Sequence, residues 1–303
     1  MGSSFDIRSV KSTFIFNPRS GHNARNPYLL QRTRAFIAEN ALNSTIQLTE
    51  RPKHATELAR LALAEGSEAV IAIGGDGTLN EVATALVDCP QSLGLIPCGS
   101  GNGLGRHLGI PKPDKSAYDT LLSGRHRSID YGTANGHHFF NVAGMGFDAE
   151  ISTRFNLLTR RGLMSYVSTT LKAWNSYRPA SYSIHSEIGS VTTDAFIIAV
   201  ANSDQYGNNC YVAPGASVSD GVINLTVIKK VNWITAMPLA ARLFFGSISH
   251  SPHVICLSGP EFQIERTDSG PIHTDGEVHQ TDATVEVRVH HQGLNVIVPA
   301  SLP

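Results

Sequence analysis

Residues 70–86, VIAIGGDGTLNEVATAL, restrict what this chain can fold into more than any other stretch of it. Val70–Ile73 is a short apolar run rich in β-branched residues, the composition of a buried parallel strand. It ends abruptly in Gly74-Gly75-Asp76-Gly77, after which Leu79, Val82, Ala83 and Leu86 recur at helical spacing. The unit is therefore strand, glycine turn, helix. Such a turn lets a ligand come close to main-chain N–H groups, and the helix N-terminus beyond it adds positive dipole, so the place suits phosphate. Asp76 is the odd residue, because a carboxylate repels phosphate unless a cation or a proton transfer accounts for it. A phosphate cradle with an embedded acid points to phosphoryl transfer from a nucleotide with Mg2+. The plainer alternative is a tight turn whose Asp caps the helix.

Two further loops follow apolar strands. Ser12–Phe16 reads as the first strand and stops at Asn17-Pro18-Arg19-Ser20-Gly21, a turn with a cation and a Gly. Leu93–Pro97 runs into Cys98-Gly99-Ser100-Gly101-Asn102-Gly103, then a short helix carrying Arg106. Helices are expected from Pro27 to about Asn40, from Lys53 to Glu65 and from Asp114 to Ser123, with a strand at Ser44–Thr49. Alternating strands and helices predict a parallel sheet with helices on both faces, with ligands beyond the strands' carboxyl ends. There is no G-x-x-x-x-G-K-[ST] segment, and Gly99-x-Gly101 lacks the third glycine of a dinucleotide fingerprint.

After a strand at Arg125–Asp130 the pattern changes, and the domain boundary is expected there, giving 1–130 and 131–303. His137–Val142, Ser181–His185, Thr193–Ala201, Val222–Ile228, His253–Leu257, Phe262–Arg266, Thr284–Val289 and Asn295–Val298 are short, often alternating runs that predict antiparallel strands. Asp148, in Gly144-Met145-Gly146-Phe147-Asp148-Ala149, reads as a helix cap. Val231–Ile248, with Ile234, Met237, Leu239, Leu243, Phe244 and Phe245, reads as a core helix kinked at Pro238 or as an apolar lip over a lipid pocket or against a bilayer.

NPRSG, GGDGTLNE, the Gly99–Asn102 turn followed by RHLGIP, and Asp275-Gly276-Glu277 occur in the order found in the diacylglycerol kinase and sphingosine kinase superfamily, which the chain resembles. The resemblance implies an α/β N-terminal domain of NAD kinase and phosphofructokinase type, followed by a C-terminal antiparallel β-sandwich. It implies a kinase that moves the γ-phosphate of ATP, with Mg2+, to a lipid hydroxyl. Asn17, Gly74, Gly75, Asp76, Gly77, Thr78, Gly99, Ser100, Gly101, Asn102, Arg106 and Glu277 would hold the nucleotide, and Asp76 would serve the metal, with Asp130 assisting. Asp275 would be the general base, and Asp275→Asn is expected to abolish turnover while sparing the fold. Asp220, with carbonyls near Ser217 and Val222, resembles a structural Mg2+ site, and Asp148 would touch the lipid. Gly103 stands where soluble bacterial diacylglycerol kinases carry Asp, which tilts the acceptor from diacylglycerol towards a sphingoid base.

At 303 residues, 41% hydrophobic and 16% charged, with net charge −1, the chain has no basic stripe for nucleic acid. Cys89, Cys98, Cys210 and Cys256 show no metal-ligand spacing and are expected as reduced thiols. Neither a signal peptide nor a membrane-length apolar run is visible, so a cytoplasmic enzyme touching the membrane surface transiently is expected. Exposed edge strands leave room for a homodimer. The rival functions are a soluble-substrate kinase of NAD kinase type, which does not account for the DGE loop, and a non-catalytic nucleotide or lipid sensor.

Overall fold

The computed structural model describes residues 4–21, 23, 28–113, 115–156, 170, 173–174 and 177–301. The expected helix starts Pro27 and Asp114 lie outside the described residues. The chain divides into two compact units, 1–129 with 292–303, and 130–291.

In the first unit β1 (Ser12–Phe16), α1 (Tyr28–Glu39), β2 (Ser44–Leu48), α2 (His54–Ala64), β3 (Ala69–Gly74), α3 (Asp76–Leu86) and β4 (Ser92–Pro97) alternate, followed by α4 (Gly103–His107) and α5 (Lys115–Ser123). The strands are parallel in the order β2-β1-β3-β4. β1, β3 and β4 are buried along their whole length, as unbroken apolar runs covered on both faces must be. One core cluster joins Phe14, Phe16, Ile71, Ile73 and Ile96 to Leu29 and Phe36 of α1 and to Leu121 of α5. Each such side chain, fully buried, contributes roughly 2 kcal/mol. Glu81 of α3 fixes the start of α2 by accepting the N–H groups of Lys53 (3.0 Å) and Ala55 (2.9 Å), two donors that have no helical partner of their own.

The division falls inside β5 (Arg125–Ala134). The second unit continues with β6 (His137–Phe139), β7 (Val142–Gly146), α6 (Phe147–Asn156), β8 (Ala180–Ser186), β9 (Gly189–Ala201), β10 (Ile223–Lys229), α7 (Trp233–Phe244), β11 (Val254–Gly259), β12 (Glu261–Arg266), β13 (Gly270–Thr274), β14 (Glu277–Thr281) and β15 (Thr284–Val298). Its pairings are antiparallel: β14-β13-β7-β9, then β9-β8-β12-β15, with β10 between β9 and β11. The core alternates as period-two strands require, with Tyr182 and Ile184, Ile198 and Val200, Leu225 and Val227, Phe262 and Ile264, and Val285 and Val287 turned inward. The fold is thus an N-terminal α/β unit and a C-terminal antiparallel β-sandwich.

Three details differ from the sequence-based expectation. The single strand at 137–142 is two strands, broken at Phe140–Asn141, because those N–H groups leave the ladder for the Asp275 carboxylate. β13 and β14 form an additional hairpin. The two expected strands at 284–298 are one, β15, and its end leaves the β unit: Asn295 and Val296 pair parallel with Ser92 and Leu93 of β4, so residues 292–303 belong to the first unit. α7 contains Pro238 within one helix, as the sequence leads one to expect. All four cysteines are unpaired, and burial pushes the Cys98 thiol up to about 12, which makes it an inert core group.

Candidate functional site

In the first unit the three loops after β1, β3 and β4 meet. Asn17 Nδ2 donates to Thr78 Oγ1 (2.8 Å), and its backbone N–H to the Ile73 carbonyl (2.9 Å). The Cys98 N–H donates to the Gly74 carbonyl at 2.6 Å. A Cβ on Gly99 would sit 2.8 Å from the Gly75 Cα, and one on Gly75 3.1 Å from the Gly99 Cα, so the two glycine turns touch backbone to backbone and Gly99 has no room for a side chain. Asn102, left-handed at φ 51°, closes its own loop: its Oδ1 accepts from the Gly99 N–H (2.8 Å) and its Nδ2 donates to the Gly99 carbonyl (2.9 Å). Arg106 Nε donates to the Gly101 carbonyl at 2.9 Å.

Asp76 fastens these turns together. Its Oδ2 accepts the Asn102 N–H (2.9 Å) and its Oδ1 the Gly103 N–H (3.0 Å). Burial pushes its carboxyl above the ordinary range, against the opposing pull of those N–H groups and of Arg106. Position 103 therefore acts here through its main chain. Asn17, Gly74–Thr78, Gly99–Asn102 and Arg106 are all brought into one place. Gly77 differs from its neighbours: a Cβ there meets nothing within 4 Å, and its φ is not positive. The protein itself does not require glycine at 77, whereas a group pressed against that backbone would. A phosphate fits this cradle of glycine backbone and helix start.

In the second unit Asp275 and Gly276 form the two-residue turn between β13 and β14, both with positive φ (50° and 86°). The Asp275 carboxylate accepts three main-chain N–H groups, Phe140 on Oδ2 (2.9 Å) and Asn141 and Val142 on Oδ1 (3.0 and 2.9 Å). Its own N–H returns to the Val142 carbonyl at 3.0 Å. This corrects the expectation that Asp275→Asn spares the fold. An amide presents one acceptor and one donor group where three N–H donors converge, so at least one of them loses its partner. Glu277 opens β14 and is exposed.

Behind the turn lies a group that the sequence did not reveal. His273 and Asp148, 3% and 5% exposed, stand side by side, with His273 Nε2 2.9 Å from Asp148 Oδ2 in a close ionic contact that lacks the alignment of a hydrogen bond. Tyr206 donates its hydroxyl to the same oxygen at 2.5 Å, so Asp148 is not the helix cap expected of it. Gly144 makes room, since a Cβ there would lie 2.6 Å from His273 Nε2 and 2.7 Å from Asp148 Oδ2. Burial disfavours both charges, yet each partner outweighs it for the other: Asp148 is held below the ordinary carboxyl range, and His273 is raised with help from Asp275. Gly276 N stands 3.4 Å from His273 Nδ1, but that nitrogen accepts its N–H only in the neutral imidazole, since both ring nitrogens carry a proton when His273 is charged. In sequence His273 is one polar residue on a short strand, and nothing marks it as buried.

The loop before β10 folds around Asp130. The Asp130 N–H donates to the Val218 carbonyl (2.6 Å), its Oδ2 accepts the Gly221 N–H (2.7 Å), and its Oδ1 lies 2.8 Å from His291 Nδ1. Asp220 is exposed at the rim of this loop and accepts the Val222 N–H at 3.2 Å, while Ser217, directly before Val218, accepts the Ser219 N–H on its hydroxyl at 3.3 Å. The Val218 carbonyl is thus committed, and Asp220 is the loop's exposed carboxylate. Among the described residues no three His, Cys, Asp or Glu side chains converge as a metal cluster, so a cation at Asp220 would depend on main-chain oxygens and water.

Residues 11–134 match the diacylglycerol kinase catalytic domain, and residues 141–298 match the YegS C-terminal NAD kinase beta sandwich-like domain. The chain is 30% identical over 272 residues to a diacylglycerol kinase of Bacillus subtilis, covering 88% of this chain and 89% of that one. It is 29% identical over 248 residues to a YegS-like lipid kinase of Chromohalobacter salexigens, covering 80% and 79%. A crystal structure of a diacylglycerol kinase from Bacillus anthracis superposes with a TM-score of 0.73 at 18% identity over 97% of this chain and 98% of that one, a likeness of fold. With both of its units matched and a relative aligned over most of its length, the chain belongs to the diacylglycerol kinase and YegS-like lipid kinase family.

Proposed function

We propose that this protein transfers the γ-phosphate of ATP, in the presence of Mg2+, to the hydroxyl of a lipid alcohol. The observation that carries the nucleotide half is the meeting of three loops at Asn17, Gly74–Thr78 and Gly99–Asn102, with open space over Gly77. Backbone N–H groups and the start of α3 bind phosphate oxygens there, and Arg106 adds positive charge. Mg2+, when bound with ATP, would neutralise phosphate charge, and Asp76 would orient its water shell. Asp275 accepts the acceptor hydroxyl's proton. A carboxylate that already takes three N–H bonds is a weak base, which suffices for a loose phosphoryl-transfer transition state, where position matters more than basicity. Asp220, with main-chain oxygens near Ser217 and Val222, is the place for a second, structural cation.

The acceptor is diacylglycerol or a sphingoid-like alcohol, and the relative from Bacillus subtilis that bears the name diacylglycerol kinase favours the former. The test is transfer of labelled γ-phosphate from Mg·ATP in mixed micelles holding diacylglycerol, monoacylglycerol, sphingosine or ceramide, with NAD as a soluble acceptor. Label in the organic phase supports a lipid kinase and names its acceptor. Label on NAD alone overturns the proposal in favour of a soluble-substrate kinase. ATP binding with transfer to nothing overturns it in favour of a sensor.

A further inference from the structure

Of the eight large apolar side chains that stand exposed among the described residues, four lie on one short segment: Ile234, Met237 and Phe244 on α7, and Phe245 just after it, exposed by 84%, 70%, 55% and 84%. Ile234, Met237, Ala241 and Phe244 follow one another at helical spacing, so they share a face. The opposite face is already satisfied: Leu239 is buried against Ile228 and Ile248, with Leu243 packed beside them. A surface helix ordinarily has one apolar stripe and a polar outer face. α7 has two apolar stripes, and the second is exposed among the described residues.

The charge of the segment that carries this face is one-sided. Between Asp220 and Glu261 the chain contains no acidic residue, yet it carries Lys229, Lys230, Arg242, His250 and His253 in a protein of net charge −1. An apolar face on a segment whose fixed charges, Lys229, Lys230 and Arg242, are all positive is complementary to an anionic bilayer surface: the side chains enter the headgroup boundary while the basic residues meet lipid phosphate. A second copy docked on the same face would set this basic segment against itself. We infer that α7 with Phe245 is a membrane-docking surface for anionic bilayers. The preference for a lipid partner rests in part on the lipid-kinase proposal above. The C-terminal end of α7 leads back to the buried pair, because the Leu243 carbonyl accepts the Tyr211 N–H (2.8 Å) and the Gln205–Tyr211 loop carries Tyr206, the hydroxyl donor to Asp148.

The test is co-sedimentation of the full chain with phosphatidylglycerol vesicles and with phosphatidylcholine vesicles, without ATP or any acceptor lipid. Wild-type protein binds the former and largely ignores the latter. Ile234→Ser and Phe245→Ser each lower partitioning about tenfold, as expected for one large side chain kept from the acyl boundary. Lys229→Ala with Lys230→Ala removes most of the preference for the anionic vesicle. Leu61→Ser, an exposed apolar residue of the other unit, changes nothing. Equal melting temperatures confirm that the variants fold. Failure of wild-type protein to bind, or undiminished binding by the α7 variants, overturns the inference. So does loss of a dimer, or of an acidic protein partner, in those variants with vesicle binding intact. Phosphate transfer in detergent micelles is measured separately, so the docking surface and the kinase proposal can fail independently.

Discussion

Asp76 and Asp275 each precede a glycine and each give their carboxylate to main-chain N–H groups, but the two units use them differently. Asp76 begins a helix after a parallel strand and spans 26 and 27 residues to join one glycine turn to the next. Asp275 sits at the tip of an antiparallel hairpin with positive φ and holds a broken strand by three N–H groups. In the parallel unit the strand ends gather the loops, and the acid only fastens them. In the sandwich the acid is itself what organises the gap between β6 and β7. Changing the same residue type should therefore be felt mainly in binding in the first unit, and in both stability and transfer in the second.

The largest effect is expected from Asp275→Asn. Transfer falls about 10³-fold with the loss of the proton acceptor, and unfolding in urea shows a loss of about 2 kcal/mol or more from orphaned N–H donors. Unchanged stability would break the contrast drawn here, and a near wild-type rate would remove Asp275 from catalysis. Next comes His273→Leu, which leaves the buried Asp148 without its cation and costs about 3 kcal/mol. Asp148→Asn in that background should restore part of the loss, and a strictly additive double variant would show that the two do not act as a pair.

The same pair sharpens the comparison through pH. The raised His273 contributes stability that is complete below its ordinary 6.5 and is lost as pH rises through its higher folded value. The depressed Asp148 contributes stability that is present above its ordinary 3.8 and is lost as pH falls through its lower folded value. The wild-type chain should thus gain over the double variant between those two ordinary values, and the gain should shrink at alkaline pH. A difference that stays flat from pH 6 to pH 9 would mean His273 is never charged.

Asp76→Asn comes next, with about 1–2 kcal/mol lost because one of two N–H donors faces an amide, and with nucleotide affinity reduced. The smallest stability effect has the opposite sign. Gly77→Ala should stabilise the protein by about 0.5 kcal/mol, since alanine suits a helix better and its Cβ meets nothing, yet weaken ATP binding about tenfold by filling the cradle. Undiminished ATP affinity in that variant would take the phosphate away from Gly77.

The first unit was legible because its strands are apolar and β-branched and end in glycine, as Ser12–Phe16 and Val70–Ile73 do; those runs became β1 and β3 with little change. The hairpin β13–β14 was not, because G-P-I-H-T and E-V-H-Q-T lack the alternation of a half-buried strand. Its hold is polar and distant, with Thr274 bonded to His279, and His273 placed beside Asp148. The motifs named Asp76 and Asp275, but not their partners. Asn102 and Gly103 serve Asp76 through the main chain, and Phe140–Val142 serve Asp275 likewise, so no side-chain pattern could announce them. Asn202, fully buried and donating to the Asp130 and Phe140 carbonyls, was hidden in the same way.

The Asp275 turn also sets an order in time. Its three donors lie 133 to 135 residues earlier in the chain, so they leave the ribosome long before their acceptor is made. Until then Phe140, Asn141 and Val142 have no lasting partner, and the gap between β6 and β7 stays unsealed. Closing a contact over such a separation is slow and depends on the rest of the sandwich already being in place. A half-made chain therefore displays the Asp76 loops before the Asp275 turn exists, and the break between β6 and β7 is closed only once the hairpin of β13 and β14 has been made.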